Sequence, residues 1–80
     1  MTLNFYYRQG CHLCEDMYAL LLPYEQTHAL TINMFNIDKD PQLKEKYHQL
    51  IPVLSDAEDN EICHYFFDKV SFEKHLKSSS

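Results

Sequence analysis

The sequence has one glycine, no tryptophan and three prolines in 80 residues. So little glycine and proline excludes a collagenous or low-complexity chain and leaves little room for a long flexible linker. Cations are also scarce, with 7 Lys and Arg against 12 Asp and Glu, a formal charge of −5 at pH 7. Nucleic-acid affinity rests largely on Lys and Arg neutralising phosphates, so this balance excludes nucleic acid as a partner. No apolar run approaches the length of a membrane span, and the chain does not open on a basic stretch followed by an apolar core and a small-residue cleavage site. The expectation is a cytoplasmic protein with no membrane partner. The cysteines number three, an odd count that is not the even framework of a secreted disulfide scaffold.

What is present makes one small globular domain. A chain that is 45% hydrophobic and 14% aromatic can build a core at this length only if nearly every apolar side chain contributes. The domain is expected over residues 1–77, with 78–80 as a frayed tail, and as a monomer.

Leu3 to Tyr7 is rich in aromatics and reads as a strand, followed by a turn at Arg8-Gln9-Gly10. Leu13, Met17, Leu20, Leu21 and Tyr24 then recur at helical spacing, with Glu15 and Asp16 off that stripe. Pro23 predicts a kink or stop near Leu22, because proline removes a helix hydrogen bond and disfavours helical geometry before it. Thr31 to Ile37 is β-prone, and Asp40-Pro41 supplies an N-cap and a first-turn proline for a short helix carrying Leu43 and Tyr47. Ile51 to Leu54 and Glu61 to Phe66 flank a polar, acidic loop and predict an antiparallel hairpin. Asp68 can cap a last helix, with Phe67 before it packing on Phe72. The order βαβαββα requires a right-handed crossover between parallel first and second strands, then a hairpin. The fold class is α/β, a four-stranded mixed sheet flanked by helices.

Within this order one pair of residues carries chemistry. Cys11 and Cys14 fall where the first strand hands over to the first helix. Residues three apart in a helix share a face with Cβ atoms roughly 5–6 Å apart, within reach of a disulfide after small adjustment. The helix N-terminus favours a thiolate at the first cysteine. The spacing alone is weak evidence, and its setting is what points to a redox dithiol. His12 can stabilise the Cys11 thiolate when protonated, or simply be solvated. Glu15 and Asp16 oppose a depressed thiol pKa but suit a helix start.

With the dithiol at the end of the first strand and Ile51-Pro52-Val53 opening the third, the chain resembles the thioredoxin superfamily in its minimal, glutaredoxin-like form. Gly10-Cys11-His12-Leu13-Cys14, with Ile37-Asp38 before the second helix, is similar to small bacterial glutaredoxin-like proteins. The resemblance implies that Cys11 attacks a disulfide, Cys14 resolves the intermediate, and Pro52 follows a cis bond that turns the N–H and C=O of Ile51 toward an extended substrate. It also implies that Arg8, three residues before Cys11, helps hold a glutathione carboxylate. Leu13 stands where glutaredoxins usually have Tyr, and Phe66-Phe67-Asp68 where many have Gly-Gly and an acid. Asp68 and its helix start can still meet a charged terminus.

The implied activity is thiol–disulfide oxidoreduction on a protein disulfide or a glutathione mixed disulfide, with thioredoxin reductase or glutathione as reductant. The dithiol serves as its own redox group, and no metal or other cofactor is expected. Two alternatives stay open: a binding module that uses the Pro52 groove without turnover, and an iron–sulfur carrier ligated by Cys11 and external glutathione. A zinc site from Cys11, Cys14, Cys63 and His64 is disfavoured, because adjacent strand residues point to opposite faces. Cys63 reads as a small core hydrophobe. Tyr6, Tyr7, Tyr47, Tyr65, Phe66 and Phe67 could form a recognition surface, but in so small a domain most of them are expected in the core.

Overall fold

The computed structural model describes residues 1–79. Strand β1 (Thr2–Tyr7) is followed by helix α1 (His12–Thr27), strand β2 (Thr31–Asn36), a single 3-10 turn (Ile37–Lys39) and helix α2 (Pro41–Tyr47). Strands β3 (Val53–Asp56) and β4 (Glu61–His64) and helix α3 (Lys69–Ser79) complete the chain. The sheet order is β2-β1-β3-β4. β1 runs parallel to β2, with Phe5 opposite Met34, and antiparallel to β3, with Phe5 opposite Leu54. β3 and β4 form the hairpin, with a register shift between Leu54 and Ser55. This is the mixed sheet that the order of elements predicted.

Two clusters occupy the two faces of the sheet, because side chains alternate along each strand. Leu3 and Phe5 of β1 meet Met17 and Leu21 of α1, Leu54 and Cys63 of the hairpin, and Phe72 of α3. On the opposite face Tyr6 and Val53 pack with Ile37, Tyr47 and Ile51, and Cys14 joins them from the first turn of α1. Cys14 therefore links the helix that bears the dithiol to the far side of the sheet. Phe67 and Phe72 pack with ring centroids 5.3 Å apart across the start of α3, the predicted staple.

Several local expectations need correction. α1 does not stop at Pro23 but continues to Thr27. A missing ladder bond is tolerated there because Leu21 and Tyr24 are held from outside the helix, Tyr24 by an edge-on contact with Phe72 and a hydrogen bond from its hydroxyl to Glu73. Leu20 is 53% exposed; Cys14, Met17 and Leu21 are the residues that make the buried stripe. β2 ends at Asn36, whose side-chain oxygen accepts the Asp38 N–H and starts the 3-10 turn that buries Ile37. β3 begins at Val53, because Ile51 still bonds back to the end of α2. β4 ends at His64, because Tyr65 takes a positive φ of 68°. The tail expected over 78–80 is helical as far as Ser79, with the Ser78 hydroxyl donating to the Lys74 carbonyl. Ser80 lies outside the described residues.

Candidate dithiol site

The turn that carries the dithiol depends on Gly10, whose φ of +78° suits a residue without a side chain. It delivers Cys11 to the N-cap of α1 in an extended conformation, φ −95° and ψ 111°. The Cys11 Sγ accepts the Cys14 N–H at 3.1 Å, so the sulfur does the work that Ser or Asp does at other helix starts. Cys11 and Cys14 are joined as a disulfide with Cα atoms 5.2 Å apart. Their environments differ: Cys11 is half-buried and Cys14 is 3% exposed. Only the first sulfur is placed to meet another molecule.

His12 is exposed as the first residue of α1, and Leu13 is half-buried beside it. Cys11 packs at the edge of the cluster that holds Ile51 and Val53. The Ile51–Pro52 peptide bond is cis, and Pro52 is fully buried. The Ile51 N–H is not free for a substrate, because it donates to the Tyr47 carbonyl at 3.1 Å. The Pro52 carbonyl accepts the Tyr65 N–H at 2.9 Å, which fastens the start of the β4–α3 connection to the proline.

Arg8 is engaged within the chain. Its Nε and Nη2 donate to the Asp38 carboxylate at 2.8–3.1 Å, tying the turn after β1 to the turn after β2. Lys44 adds a longer contact of 3.8 Å to the same carboxylate. The Arg8 hydrogen bonds hold the Asp38 carboxyl below its ordinary range. Asp68 caps α3, its two carboxylate oxygens accepting the N–H and hydroxyl of Ser71 at 3.0 and 2.9 Å. Those bonds lower its pKa. A cavity of about 210 Å³ lies beside the dithiol turn, lined by Phe5, Tyr7, Arg8, Cys14, Glu15, Tyr18 and Met34 among others.

Cys63 is buried in the cluster between the sheet and α1, and burial pushes its thiol pKa up. His64, its neighbour, is exposed and its Nδ1 pairs with Glu61 at 2.8 Å. Adjacent strand residues have thus separated to opposite sides. Among the described residues no three His, Cys, Asp or Glu side chains gather as a metal site.

The residues from 2 to 77 match the model of the Glutaredoxin-like domain (DUF836). The chain belongs to this glutaredoxin-like family. It is 38% identical to protein Ne2328 from Nitrosomonas europaea, solved in solution, with a TM-score of 0.81 over 94% of this chain and 89% of that one. The crystal structure of target protein XcR50 from X. campestris is 31% identical, with a TM-score of 0.73 over 98% and 99% of the two chains. Oxidised mitochondrial thioredoxin 3 from Saccharomyces cerevisiae, 18% identical with a TM-score of 0.68, shares the fold over 96% of this chain and 76% of its own. None of the curated proteins compared with the chain matches it.

The glutaredoxin-like domain thus has a minimal thioredoxin-like fold with a Cys11–Cys14 pair at the start of its first helix. Sequence reasoning placed both cysteines at the start of α1 and Asp68 at the cap of α3, whereas Pro52, expected in the third strand, lies just before it. It missed the capture of Arg8 by Asp38, which is set by a contact across 30 positions. It also placed Tyr65 and Phe66 in the core, whereas they are 48% and 68% exposed.

No helix among the described residues is long and apolar enough to cross a membrane.

Proposed function

We propose that this domain is a thiol–disulfide oxidoreductase of the cytoplasm, acting as a monomer on a protein disulfide or a glutathione mixed disulfide. The observation that carries the reading is the asymmetry of the dithiol: an accessible sulfur at the N-cap of α1, bonded to the N–H of a buried partner one turn on. In the reduced form the same N–H and the helix N-terminus favour a thiolate on Cys11. That thiolate attacks one sulfur of the substrate disulfide. A Cys11–substrate bond forms, the substrate S–S bond breaks, and the leaving thiolate takes a proton from water. Cys14 then loses its proton and attacks the Cys11 sulfur, giving the Cys11–Cys14 disulfide and a second substrate thiol. Two electrons pass to the substrate, and thioredoxin reductase or glutathione returns them.

The test is a redox titration with mass-spectrometric mapping of all three cysteines, together with turnover on model disulfides. The expected result is one two-electron couple, a Cys11–Cys14 pair in the oxidised form and a free Cys63. Absence of that pair in every redox buffer, or failure of the reduced protein to react with any disulfide, overturns the proposal. Unchanged function on Cys11→Ser points instead to a binding module. A coloured protein that loses its visible spectrum on the same substitution points to an iron–sulfur carrier.

A further inference from the structure

Tyr65 and Phe66 leave β4 and stand in solvent, and Val70 in the first turn of α3 is 77% exposed beside them. The turn that presents the two rings is strained, since a φ of 68° at Tyr65 is a left-handed conformation that bulky residues adopt only when held. Two bonds hold it: Tyr65 N–H to the Pro52 carbonyl, and Phe66 N–H to the His64 carbonyl at 2.7 Å. The rings lie across each other with centroids 5.7 Å apart. They form one apolar ledge fastened to Pro52, next in sequence to Ile51, a member of the cluster on which Cys11 packs. A contiguous exposed patch of this kind marks a place where something docks.

The net charge of −5 disfavours an anionic guest. Asp38 takes Nε and Nη2 of Arg8, Glu15 lines the same cavity as Arg8 and Cys14, Asp16 is exposed on α1, and Asp68 caps the start of α3, with Lys69 next to it. Glutathione carries a carboxylate at each end and has to share Arg8 with Asp38, which already takes its Nε and Nη2. Apolar side chains lose nothing here and remove the rings from water.

We infer that the Tyr65–Phe66 ledge sets the substrate of this site: a protein segment whose cysteine has apolar, non-acidic neighbours, in preference to glutathione. The inference rests on the oxidoreductase reading and adds no new step to it; the segment's disulfide is reduced by the Cys11–Cys14 dithiol, which is oxidised in turn.

Reduced protein is mixed with three disulfide-linked peptide dimers, whose central cysteine is flanked by Phe, Ser or Glu, and with glutathione disulfide. Each second-order rate is divided by the rate of the same disulfide with dithiothreitol. The Phe-flanked dimer is expected to react about tenfold faster than the Glu-flanked dimer and glutathione disulfide, a difference of about 1.4 kcal/mol. In Phe66→Ser, chosen because the ring is exposed and its loss leaves the core intact, that ratio is expected to fall to about twofold. Equal or faster reaction of glutathione disulfide in the unsubstituted protein overturns the inference and leaves the oxidoreductase reading standing. A ratio unchanged in a folded Phe66→Ser overturns the role of the ledge. No reaction with any of the four disulfides overturns the oxidoreductase reading itself.

Discussion

Tyr6, in the central strand β1, donates its hydroxyl to the carboxylate of Asp59 in the turn between β3 and β4. The same carboxylate oxygen accepts from Asn4 Nδ2 at 3.0 Å and from Ser55 Oγ at 3.4 Å. Tyr6, Asn4 and Ser55 are all buried. One exposed acid at a positive φ of 63° therefore satisfies three polar groups on the face that α2 leaves partly open. Tyr6 stacks on Tyr47 of α2 with centroids 4.4 Å apart, so this contact also aligns the helix. Asp59→Ala is expected to cost about 1–2 kcal/mol, most of it from leaving buried donors unpaired, since the outer face of the carboxylate is screened by water. Urea unfolding of the Asp59→Ala, Tyr6→Phe and double variants checks this, with the double variant costing less than the sum of the two.

The same acid predicts how stability follows pH. Hydrogen bonds from Tyr6, then Asn4, hold its carboxyl below the ordinary range in the folded protein. A carboxylate favoured by folding contributes fully above its unfolded pKa of about 4 and loses that contribution as pH falls through the folded value. The gap in urea midpoint between the natural protein and Asp59→Ala is expected to be constant from pH 7 to 5 and to narrow below pH 4. A gap that widens in acid contradicts the assignment.

Cys63 is expected to be the slow cysteine. Burial raises its thiol pKa, so little thiolate is present at neutral pH and a reagent must also penetrate the core. In fully reduced protein, iodoacetamide is expected to label Cys63 on the order of a hundredfold more slowly than Cys11. Timed alkylation with peptide mapping reads both rates from one sample.

Phe72 is fully buried between Tyr24 and Phe67, with ring centroids 4.9 and 5.3 Å away. Phe72→Ala is expected to cost about 3–5 kcal/mol, because a cavity opens where α1, α3 and the sheet meet. For a domain this small, that is a large share of the whole stability, and the variant is expected to unfold at much lower urea.

At Gly10 an added methyl meets nothing within 4 Å, so space is not the constraint. The cost of Gly10→Ala comes from the backbone alone, about 1 kcal/mol for an L residue in the left-handed region. A thermal shift of a few degrees measures it.

Most of the architecture was legible because its signals are local. A capping Asp40 before Pro41, the Asp68 cap with Phe67 and Phe72 around it, and the strand–turn–helix setting of Cys11 each lie within a few residues. What was not legible depends on contacts between distant parts. Pro23 was read by its own chemistry, but Tyr24 is anchored on α3, 49 positions away through Glu73. Asp59 looked like one acid of a solvated loop until the sheet brought Asn4 and Tyr6 under it. Arg8 was read only as a ligand for a guest, and the sequence did not show that Asp38 of the same chain also takes it. Hydrophobicity likewise predicted burial for Tyr65 and Phe66, whereas the dihedral at Tyr65 turns both away.

Pro23 also divides α1 into two mechanical units. Proline has no N–H to give to the carbonyl four residues earlier, so the ladder of α1 has a gap between the half that holds Cys14 and Met17 and the half that leans on α3. Opening that begins at the Thr27 end meets this gap before it reaches the dithiol. The proline is a firebreak: fraying that starts at the far end has one ladder bond fewer across which to pass toward the turn that bears the two sulfurs.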